Sequence, residues 1–503
     1  MLAATLNILD LLTCHLCNLS PRHAHSHSEE REPILGTNPQ QAKRPTDERP
    51  HVNLQPPPVL KPPAPSPKRG GRGGAMAVLE DISPSRMRSP KEIDRSFIYE
   101  TCNDLSPEEF HAKWMTLFTK DGEDDAKGAM HLVRSFVGMY FRDLKNLAPA
   151  PLCPGYGDLH YQNFGHVYLQ DGPAYVFNDF DDAGWCPVTH DSLRYFVILR
   201  MSGQEPTGNI RLVINEYCRV VFGGDPRRLP AKLEEEMFTD HKVMNKRNKS
   251  ALKDWREREK SLLASEANAG LDDLNTDAKE AFVREEMIPI DIRTAIRKYF
   301  AEHERLAHFK VRGVAEYRGK ISGGSAGHPR YWVLVSTESE QYPFKEDVIE
   351  LKGVPNIPGT HAAGWAPPEG ALTIKDEDHV EWCKRHFWNG KQGLLDFCVT
   401  IRDRRFHVRS RTKGSLKLIE KLKPHQRMEA YLVQAGMAAA THRPYWAKMG
   451  GLNKEVLALW MWEHSDVLAT RYQKVFRECK AQMAPTTLSP ANGDGSNGNS
   501  RQQ

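Results

Sequence analysis

The composition of the chain is that of a soluble globular protein. Of its 503 residues, 39% are hydrophobic and 27% are charged, which is enough apolar material for a core and too little for a membrane protein. The chain has 69 Lys and Arg residues and 65 Asp and Glu residues, which gives a net charge of +4. This small excess gives no support for bulk nucleic-acid binding. The length allows three or four domains, or one large core with tails.

The nine cysteines predict reduced thiols inside a cell. Their number is odd and their spacing irregular, unlike a secreted disulfide framework. Cys14 and Cys17 form a CxxC pair, but the next cysteine is Cys102, whereas a structural zinc site needs a second ligand pair. The first twenty residues are interrupted by Asn7 and Asp10 and suit neither a signal peptide nor a membrane anchor. We therefore expect a cytoplasmic protein without membrane contact.

Composition also separates two tails from a folded part. Residues 1–90 are rich in Pro, Gly and Ser, and residues 483–503 are polar, so we expect both segments to be disordered. Met76 is a candidate second start site. Between the tails we expect a lobe with a catalytic loop and a helical middle region (91–310), a small Gly-rich sheet with a following helix (311–400), and a C-terminal helical part (401–482).

The predicted elements define an α+β protein. Ser106 is followed by Pro and, three residues on, by Glu, which predicts a helix from Ser106 to Phe118. Apolar residues at helical spacing predict a second helix over 127–147. Residues 311–352 contain β-branched and aromatic runs between turns, which predict a small antiparallel sheet. Further helices are expected at 191–202, 208–222, 229–239, 242–260, 379–397 and from 426 to the 470s, with a break near Arg443 and Pro444.

A predicted β-hairpin carries the most informative residues. The strand-like runs GHVYL and AYVFN are joined by Q-D-G-P at 170–173, and Asp-Gly is a strong hairpin signal. Strands pairing about this turn place opposite residues at numbers that add to about 343, which sets Asn163 beside Asp179. Asp158 lies in the loop just before the first strand. We therefore expect Asp158, Asn163 and Asp179 to gather at one end of the hairpin.

These three side chains suit phosphoryl transfer. An amide oxygen and a carboxylate can hold Mg²⁺ when phosphate oxygens and water complete its octahedron. A further carboxylate that is free of metal can accept a proton from a hydroxyl group. Acidic hairpin ends are also common as solvated turns, so the same residues admit a purely structural interpretation.

The motifs resemble those of known kinase-like proteins. The segment GDLHYQN, with Asp158, His160 and Asn163, resembles the catalytic loop of aminoglycoside-phosphotransferase-like kinases, with Asn five residues after Asp as in protein kinases. GDLHYQNFG followed by FNDFDDA is similar, more closely, to the bacterial domain-of-unknown-function 2252 (DUF2252) family, over about Arg134–His442. The resemblance implies that Asp158 is the catalytic base and that Asn163 and Asp179 bind the metal.

A glycine-rich turn and a lysine further along the chain suggest a nucleotide lobe. The run SGGSAG precedes the strand-like RYWVLVS, and Lys352 ends the run DVIELK. We predict that Gly324, Ser325, Gly327 and Lys352 bind the phosphates of a nucleotide. In ordinary kinases these parts precede the catalytic loop, whereas here they follow it by more than 150 residues. The resemblance therefore implies a circularly permuted kinase-like fold, which is physically acceptable when the termini are exposed.

Several other polar residues receive less specific interpretations. His160 is expected to be a structural hydrogen-bonding residue, and Asp191 a structural helix N-cap. Arg134 matches, by resemblance, a family arginine near the site. The basic stretches 402–423 and 242–260 are interpreted as solvated charged faces rather than as binding sites for an anionic substrate.

The sequence thus favours a Mg²⁺-dependent phosphotransferase with ATP as donor and an unknown small-molecule or protein acceptor. Two alternatives stay open besides a purely structural scaffold. One is a nucleotide-binding regulator that catalyses nothing. The other is a metal-dependent hydrolase that uses Asp158, Asp179 and Asp181 without ATP.

Overall fold

The computed structural model describes most of the chain from residue 86 onward. The described residues are Leu79 and 86–483, apart from 103–104, 119–123, 148–149, 170–171, 236–240, 268–281, 284, 286–287, 318–327, 341, 343, 356, 370–381, 384–385, 389, 392, 394, 403 and 412–421. They all belong to one unit, residues 70–503. Both predicted tails lie almost wholly outside the described residues. Within the described part, no helix combines the length and the apolar character needed to cross a membrane.

The first helices confirm one prediction and correct another. They are α1 (Arg95–Tyr99), α2 (Pro107–Phe118), α3 (Asp125–Ser135) and α4 (Val137–Asp143). The expected start of α2 is a capping box: Ser106 N donates to Glu109 Oε2 at 2.8 Å, and Glu109 N donates to Ser106 Oγ at 3.2 Å.

The single helix expected over 127–147 is wrong, because the chain leaves helical geometry at Phe136. The dihedral angles of this residue are φ −124° and ψ 69°. Its ring lies against those of Phe110 and Trp114, at centroid distances of 5.7 and 6.1 Å. The apolar stretch is therefore divided into α3 and α4 at a residue whose aromatic ring is buried. The periodicity of the sequence alone does not show this division.

The expected hairpin exists, but the partner of Asn163 is one residue earlier in the chain than expected. Strands β1 (Leu152–Gly155) and β4 (Gly184–Pro187) pair with each other, and β2 (Phe164–Leu169) pairs with β3 (Gly172–Phe177). Phe164 lies opposite Phe177, so the numbers of opposite residues add to 341 rather than about 343. The backbone N–H of Asn178 donates to the carbonyl oxygen of Asn163 at 2.9 Å. Asn163 thus pairs with Asn178, and Asp179 is the next residue along the chain.

Helices enclose this hairpin and form the largest core. They are α5 (Val188–Met201), α6 (Thr207–Val221), α7 (Ala231–Glu234), α10 (Pro424–Trp446) and α11 (Lys454–Ala481), whereas α8 (His241–Ala267) and α9 (Ile290–Glu302) lie beside the sheet. Helix α10 packs on α6, and α11 packs on α3 and α5. The break expected near Pro444 is displaced, because α10 continues through Pro444 to Trp446. Of the helix expected at 229–239, only α7 is described as α-helix.

A six-stranded antiparallel sheet follows. Its strands are β5 (Phe282–Val283), β6 (Phe309–Tyr317), β7 (Arg330–Thr337), β8 (Glu346–Gly353), β9 (Asp396–Ile401) and β10 (Arg404–Ser410), in the spatial order β5-β6-β7-β8-β10-β9. One face buries apolar residues together with Ile296 and Phe300 of α9. The other face packs Trp332 and Val348 against Trp255 of α8. The chain is therefore a mixed α+β protein with antiparallel strands.

The sheet extends beyond the expected range of 311–352 and beyond residue 400, the expected end of the region that contains it. β9 begins at Asp396, where the sequence predicts the last turn of a helix over 379–397, and β10 ends at Ser410. β10 lies between β8 and β9, so its hydrogen bonds come in part from a strand distant in sequence. The C-terminal helical part accordingly begins after Ser410 and not at residue 401.

Candidate functional site

A glycine and a buried carboxylate fix the loop that carries Asp158. Gly157 has φ 74°, in the left-handed region that favours glycine. A Cβ atom at this position would lie 2.0 Å from the carbonyl oxygen of Asp182. Asp191 accepts hydrogen bonds from the backbone N–H groups of Tyr156 at 2.9 Å and Gly157 at 3.1 Å. The backbone directly before Asp158 is therefore held in one conformation.

Asp191 is structural, as expected, but it is not an N-cap. Helix α5 begins at Val188 with Pro187 as its N-cap, so Asp191 lies inside the helix. Its Oδ2 also lies 3.0 Å from Nε2 of His442 on α10. The carboxylate thus joins α5, α10 and the loop, and the contact to His442 cannot be read from local spacing.

The carboxylate of Asp158 is buried and fully engaged. Its Oδ1 accepts from NH2 of Arg194 at 2.6 Å, and its Oδ2 lies 3.1 Å from Nε2 of His160 and 3.2 Å from Nδ2 of Asn163. Burial by itself would raise the pKa of Asp158, but His160 and the Arg194 guanidinium hold this pKa well below its usual range. The group therefore remains a carboxylate at neutral pH.

Arg194 is a site residue that the sequence interpretation missed. Its side chain on α5 is fully buried. NH2 donates to the carbonyl oxygen of Val133 at 3.0 Å as well as to Asp158, and the guanidinium carbon lies 4.9 Å from the ring centroid of Tyr140. The sequence signal for this role is weak, since it consists of an arginine inside an apolar helical stretch. Removing this charge would leave the carboxylate of Asp158 buried without its guanidinium partner.

His160 and Arg134 support the same loop. The backbone N–H of Gln162 donates to Nδ1 of His160 at 3.1 Å, so the neutral ring carries its proton on Nε2, facing Asp158. Arg134 donates to Oε1 of Gln162, and its Nε lies 3.1 Å from Nε2 of His160. Burial, followed by the charge of Arg134, lowers the pKa of His160 to about 4. The imidazole is therefore neutral at physiological pH and acts as a hydrogen-bonding residue, as expected.

Asn163 turns its amide nitrogen toward the loop. Nδ2 donates to the backbone oxygen of Asp158 at 3.0 Å as well as to its carboxylate. Because the nitrogen is used in this way, Oδ1 of Asn163 is the atom that can face a cation. Asp179 is one residue beyond Asn178, the hairpin partner of Asn163. The base of the hairpin thus brings both predicted metal ligands to the same end.

Lys352 reaches this end of the hairpin from the sheet. Its Nζ lies 2.8 Å from Oδ1 of Asp179 and forms a second ion pair with Asp181. The lysine is buried near the end of β8, with Arg330 and His407 as its cross-strand neighbours. The structure therefore brings Asp158, Asn163, Asp179 and Lys352 to one region. Gly324, Ser325 and Gly327 lie outside the described residues.

Two further carboxylates complete the acidic end of the hairpin. Asp181 Oδ1 is buried and has no hydrogen-bond partner within the described part of the chain, and its other oxygen contacts Lys352. Asp182 Oδ1 accepts from the backbone N–H of Gly359 at 3.0 Å. Burial, followed by the charges of Asp158 and Asp181, raises the pKa of Asp182 to about 7. The D-F-D-D run marks these residues as acidic, but it does not distinguish their environments.

The oxygen atoms at this end suit a hard cation. The buried Oδ1 of Asp181, which accepts no hydrogen bond from any described residue, and the amide oxygen of Asn163 are ligand types that Mg²⁺ accepts. Among the described residues there is no group of three or more His, Cys, Asp and Glu side chains arranged to hold a metal ion. A Mg²⁺ ion here would therefore need oxygens from a ligand or from water in addition to protein oxygens.

A buried glutamate on the same strand as Lys352, Glu350, is surrounded by three arginines. Glu350 contacts Arg409 at 2.5 Å, Arg330 at 3.2 Å and Arg411 at 3.3 Å. Burial alone would raise the pKa of Glu350, but the three guanidinium groups hold it well below its usual range. The basic stretch at 402–423 is therefore not simply a solvated face. Two of its arginines, Arg409 and Arg411, bind Glu350. Arg409 lies directly opposite Glu350 in the β8–β10 pairing.

These observations describe an α+β protein in which a carboxylate-rich hairpin end faces a lysine on a neighbouring sheet. The chain belongs to the family described as "Uncharacterized protein conserved in bacteria (DUF2252)", which matches residues 133–443. This confirms the family part of the resemblance, with almost the expected limits. No curated protein and no solved structure matches the chain.

Proposed function

We propose that this protein is a Mg²⁺-dependent phosphotransferase of circularly permuted kinase-like fold, with ATP as the phosphate donor. The observation that carries the proposal is the contact of Lys352 with Asp179 and Asp181. Protein kinases hold nucleotide phosphates with a glycine-rich loop, a strand lysine and an aspartate that binds the metal. A lysine and an aspartate 173 residues apart meet here without any local reason to do so.

Strand order supports the same proposal. The glycine-rich residues 322–327 lie between β6 and β7, which pair with each other, and Lys352 lies on β8, which pairs with β7. In protein kinases the lysine likewise lies on the third strand, after the glycine-rich loop. In the proposed fold the order of the lobes in the chain is reversed, whereas the order of parts within this sheet matches that of a kinase nucleotide lobe.

Each residue has a proposed role in transfer. The acceptor hydroxyl oxygen forms a bond to the terminal phosphorus of ATP while the bond from that phosphorus to the bridging oxygen of ADP breaks, and ADP leaves with the electron pair. Asp158 receives the hydroxyl proton. Lys352 holds phosphate oxygens, and Asn163 and Asp179 would hold Mg²⁺. The metal would supply charge neutralisation at the phosphates.

A thermal-shift titration tests the proposal. At a hundred times its Kd, a ligand of the folded state adds about 2.7 kcal/mol of stability, so Mg·ATP should raise the melting temperature. ATP with EDTA and Mg²⁺ alone should raise it less. Lys352→Met should abolish the Mg·ATP shift, whereas Lys345→Met, at an exposed lysine just before β8, should retain it. A wild-type protein that no nucleotide stabilises contradicts the proposal.

One observation favours a nucleotide-binding regulator as the second candidate. Both oxygens of Asp158 are already engaged, and Arg194 is 2.6 Å away, so this carboxylate is a weak proton acceptor. Asp158→Asn separates the two functions when transfer of radiolabelled phosphate and Mg·ATP binding are both measured. Loss of transfer with retained binding supports the transferase, whereas a wild type that binds Mg·ATP without any transfer supports the regulator.

The hydrolase alternative makes a different demand on Lys352. A metal-dependent hydrolase that uses the aspartates alone has no need of a phosphate-binding lysine. Activity toward a phosphoester substrate that survives Lys352→Ala would favour the hydrolase and exclude the role that we propose for this lysine.

A further inference from the structure

A small polar cavity adjoins the candidate site on the side of the N-terminal helices. Its volume is about 40 Å³, and its polar lining residues are Thr101, Lys113, Ser135, Asp182 and His328. The remaining wall is mainly apolar and comes from the segment between α1 and α2, from the start of α4 and from the segment before Gly359. A cavity that contains a buried ammonium and a buried carboxylate is a polar site in otherwise apolar surroundings.

Lys113 brings a buried positive charge to this cavity. The residue lies on α2 and is only 7% exposed. Its ammonium is 5.1 Å from the ring centroid of Phe136. Burial lowers the pKa of Lys113, while Cys102 and the charges of Asp182 and Asp158 act in the opposite direction. Lys113 lies before the family-matched span of 133–443, so this charge comes from a part of the chain that the family match does not include.

Asp182 offers a hydrogen-bond acceptor in the same cavity. Its Oδ1 is used by the N–H of Gly359, which leaves Oδ2 for a donor from a ligand. The hydroxyl of Thr101 donates to the carbonyl oxygen of Ile98 at 2.7 Å, so its oxygen can accept but its proton is used. The cavity thus combines one cationic group with acceptors of hydroxyl protons.

The size of the cavity limits what can enter. One water molecule needs roughly 10–15 Å³ of such volume, so about 40 Å³ takes about three non-hydrogen atoms. A carboxylate group, with one carbon and two oxygens, matches this number. A nucleotide is far too large, so the cavity can hold only one end of a small ligand whose remainder extends outside it.

We propose that this cavity is the acceptor subsite of the proposed phosphotransferase and that the acceptor is a small hydroxy acid. Its carboxylate pairs with Lys113, and a neighbouring hydroxyl donates to Asp182. The role of the cavity as an acceptor subsite rests on the proposed function. The binding of a hydroxy acid to the cavity does not, because it can be measured without any nucleotide. Lys113 and Asp182 are then specificity-determining residues, and Lys113 lies outside both the sequence motifs and the family match.

Three three-carbon probes test the chemistry of the cavity in the full chain. D-Glycerate carries a carboxylate and hydroxyls, glycerol lacks the carboxylate, and propionate lacks the hydroxyls. Saturation-transfer NMR and thermal shift should show D-glycerate binding at least about tenfold more tightly than either control, since one lost charge-assisted hydrogen bond corresponds to about tenfold. Equal binding of all three probes, or of none, overturns the proposal, as does inorganic phosphate binding more tightly than D-glycerate.

Two variants locate the binding. Lys113→Met keeps the length of the side chain without its charge, and Asp182→Asn keeps an oxygen for the N–H of Gly359. Each should weaken D-glycerate binding about tenfold, whereas Lys91→Met, at an exposed lysine, should not change it. If both cavity variants bind D-glycerate like the wild type, the subsite is wrong.

The outcome is separable from that of the proposed function. Mg·ATP stabilisation in Lys113→Met should equal that of the wild type, because Lys352 supplies the proposed phosphate contact. D-Glycerate binding that depends on Lys113 in a protein that Mg·ATP does not stabilise would retain the cavity and reject the transferase. Mg·ATP stabilisation without D-glycerate binding would reject the hydroxy-acid subsite alone.

Discussion

The hairpin end and the six-stranded sheet contribute to the candidate site in different ways. Asp158 contacts Asn163 and Arg194, which lie 5 and 36 positions away in the chain. Lys352 meets Asp179 across 173 positions. The first set is held by a turn, a glycine and one helix, whereas the second depends on how a whole sheet packs. Contacts with nearby parts of the chain therefore position Asp158. The position of Lys352 depends instead on the packing of the sheet and on its ion pairs with Asp179 and Asp181.

The largest expected effect is on the sheet side of this comparison. Glu350→Gln should lower the free energy of unfolding by about 3–5 kcal/mol, because it leaves the guanidinium groups of Arg330, Arg409 and Arg411 without their shared carboxylate. Urea denaturation measures the change. Glu346→Gln on the same strand should cost less than about 1 kcal/mol, since its ion pair with Arg256 is exposed. An equal loss of unfolding free energy in the two variants would contradict the idea that the burial of Glu350 makes its ion pairs important.

On the hairpin side, Gly157→Ala is the corresponding test. The new Cβ would meet the backbone of Asp182 at 2.0 Å, so we expect a loss of about 3 kcal/mol or more. Gly203→Ala is the matched control: Gly203 also has positive φ, at 64°, but within the described part of the chain no neighbouring atom lies within 4 Å of where its Cβ would stand. The control should cost only about 1–2 kcal/mol. Thermal unfolding of both variants separates the destabilisation caused by the steric clash from that caused by the positive φ angle.

Acid sensitivity should also come from the sheet. The folded-state pKa of Glu350 is lowered, so its stabilising contribution is complete above the unfolded-state pKa of about 4.3 and is lost as the pH falls toward the folded-state value. Urea midpoints measured from pH 6 to pH 3 should therefore fall more steeply for the wild type than for Glu350→Gln. Parallel curves would mean that Glu350 does not contribute to acid unfolding.

The smallest expected effect concerns a purely local feature. Ser106→Ala removes the hydroxyl that accepts from Glu109 N and should cost about 1 kcal/mol. Ser106→Asp should retain most of the stability, because aspartate is an equally good N-cap. A destabilisation of Ser106→Ala by several kcal/mol would mean that this residue has a tertiary role beyond the capping box.

Some of the site followed from the sequence and some did not. The hairpin motif brought Asp158, Asn163 and Asp179 to one end, although the residue opposite Asn163 is Asn178 and not Asp179. Lys352 was predicted from a strand ending and from the resemblance. Arg194 was missed because one arginine in an apolar helix gives no signal of what it contacts. Lys113 was missed for the same reason, since it belonged to a helix recognised only by its cap.

Most of the helices, the capping box and the acidic hairpin could be read from the amino-acid sequence, because each depends on residues a few positions apart. Tertiary packing was needed to show that Lys352 pairs with Asp179 and Asp181. It was also needed to show that Glu350 forms ion pairs with three arginines and that Lys113 and Asp182 line the same cavity. Such contacts depend on which faces of distant elements pack together. The free energy of that packing is shared over a whole core, so no short segment of the chain encodes it.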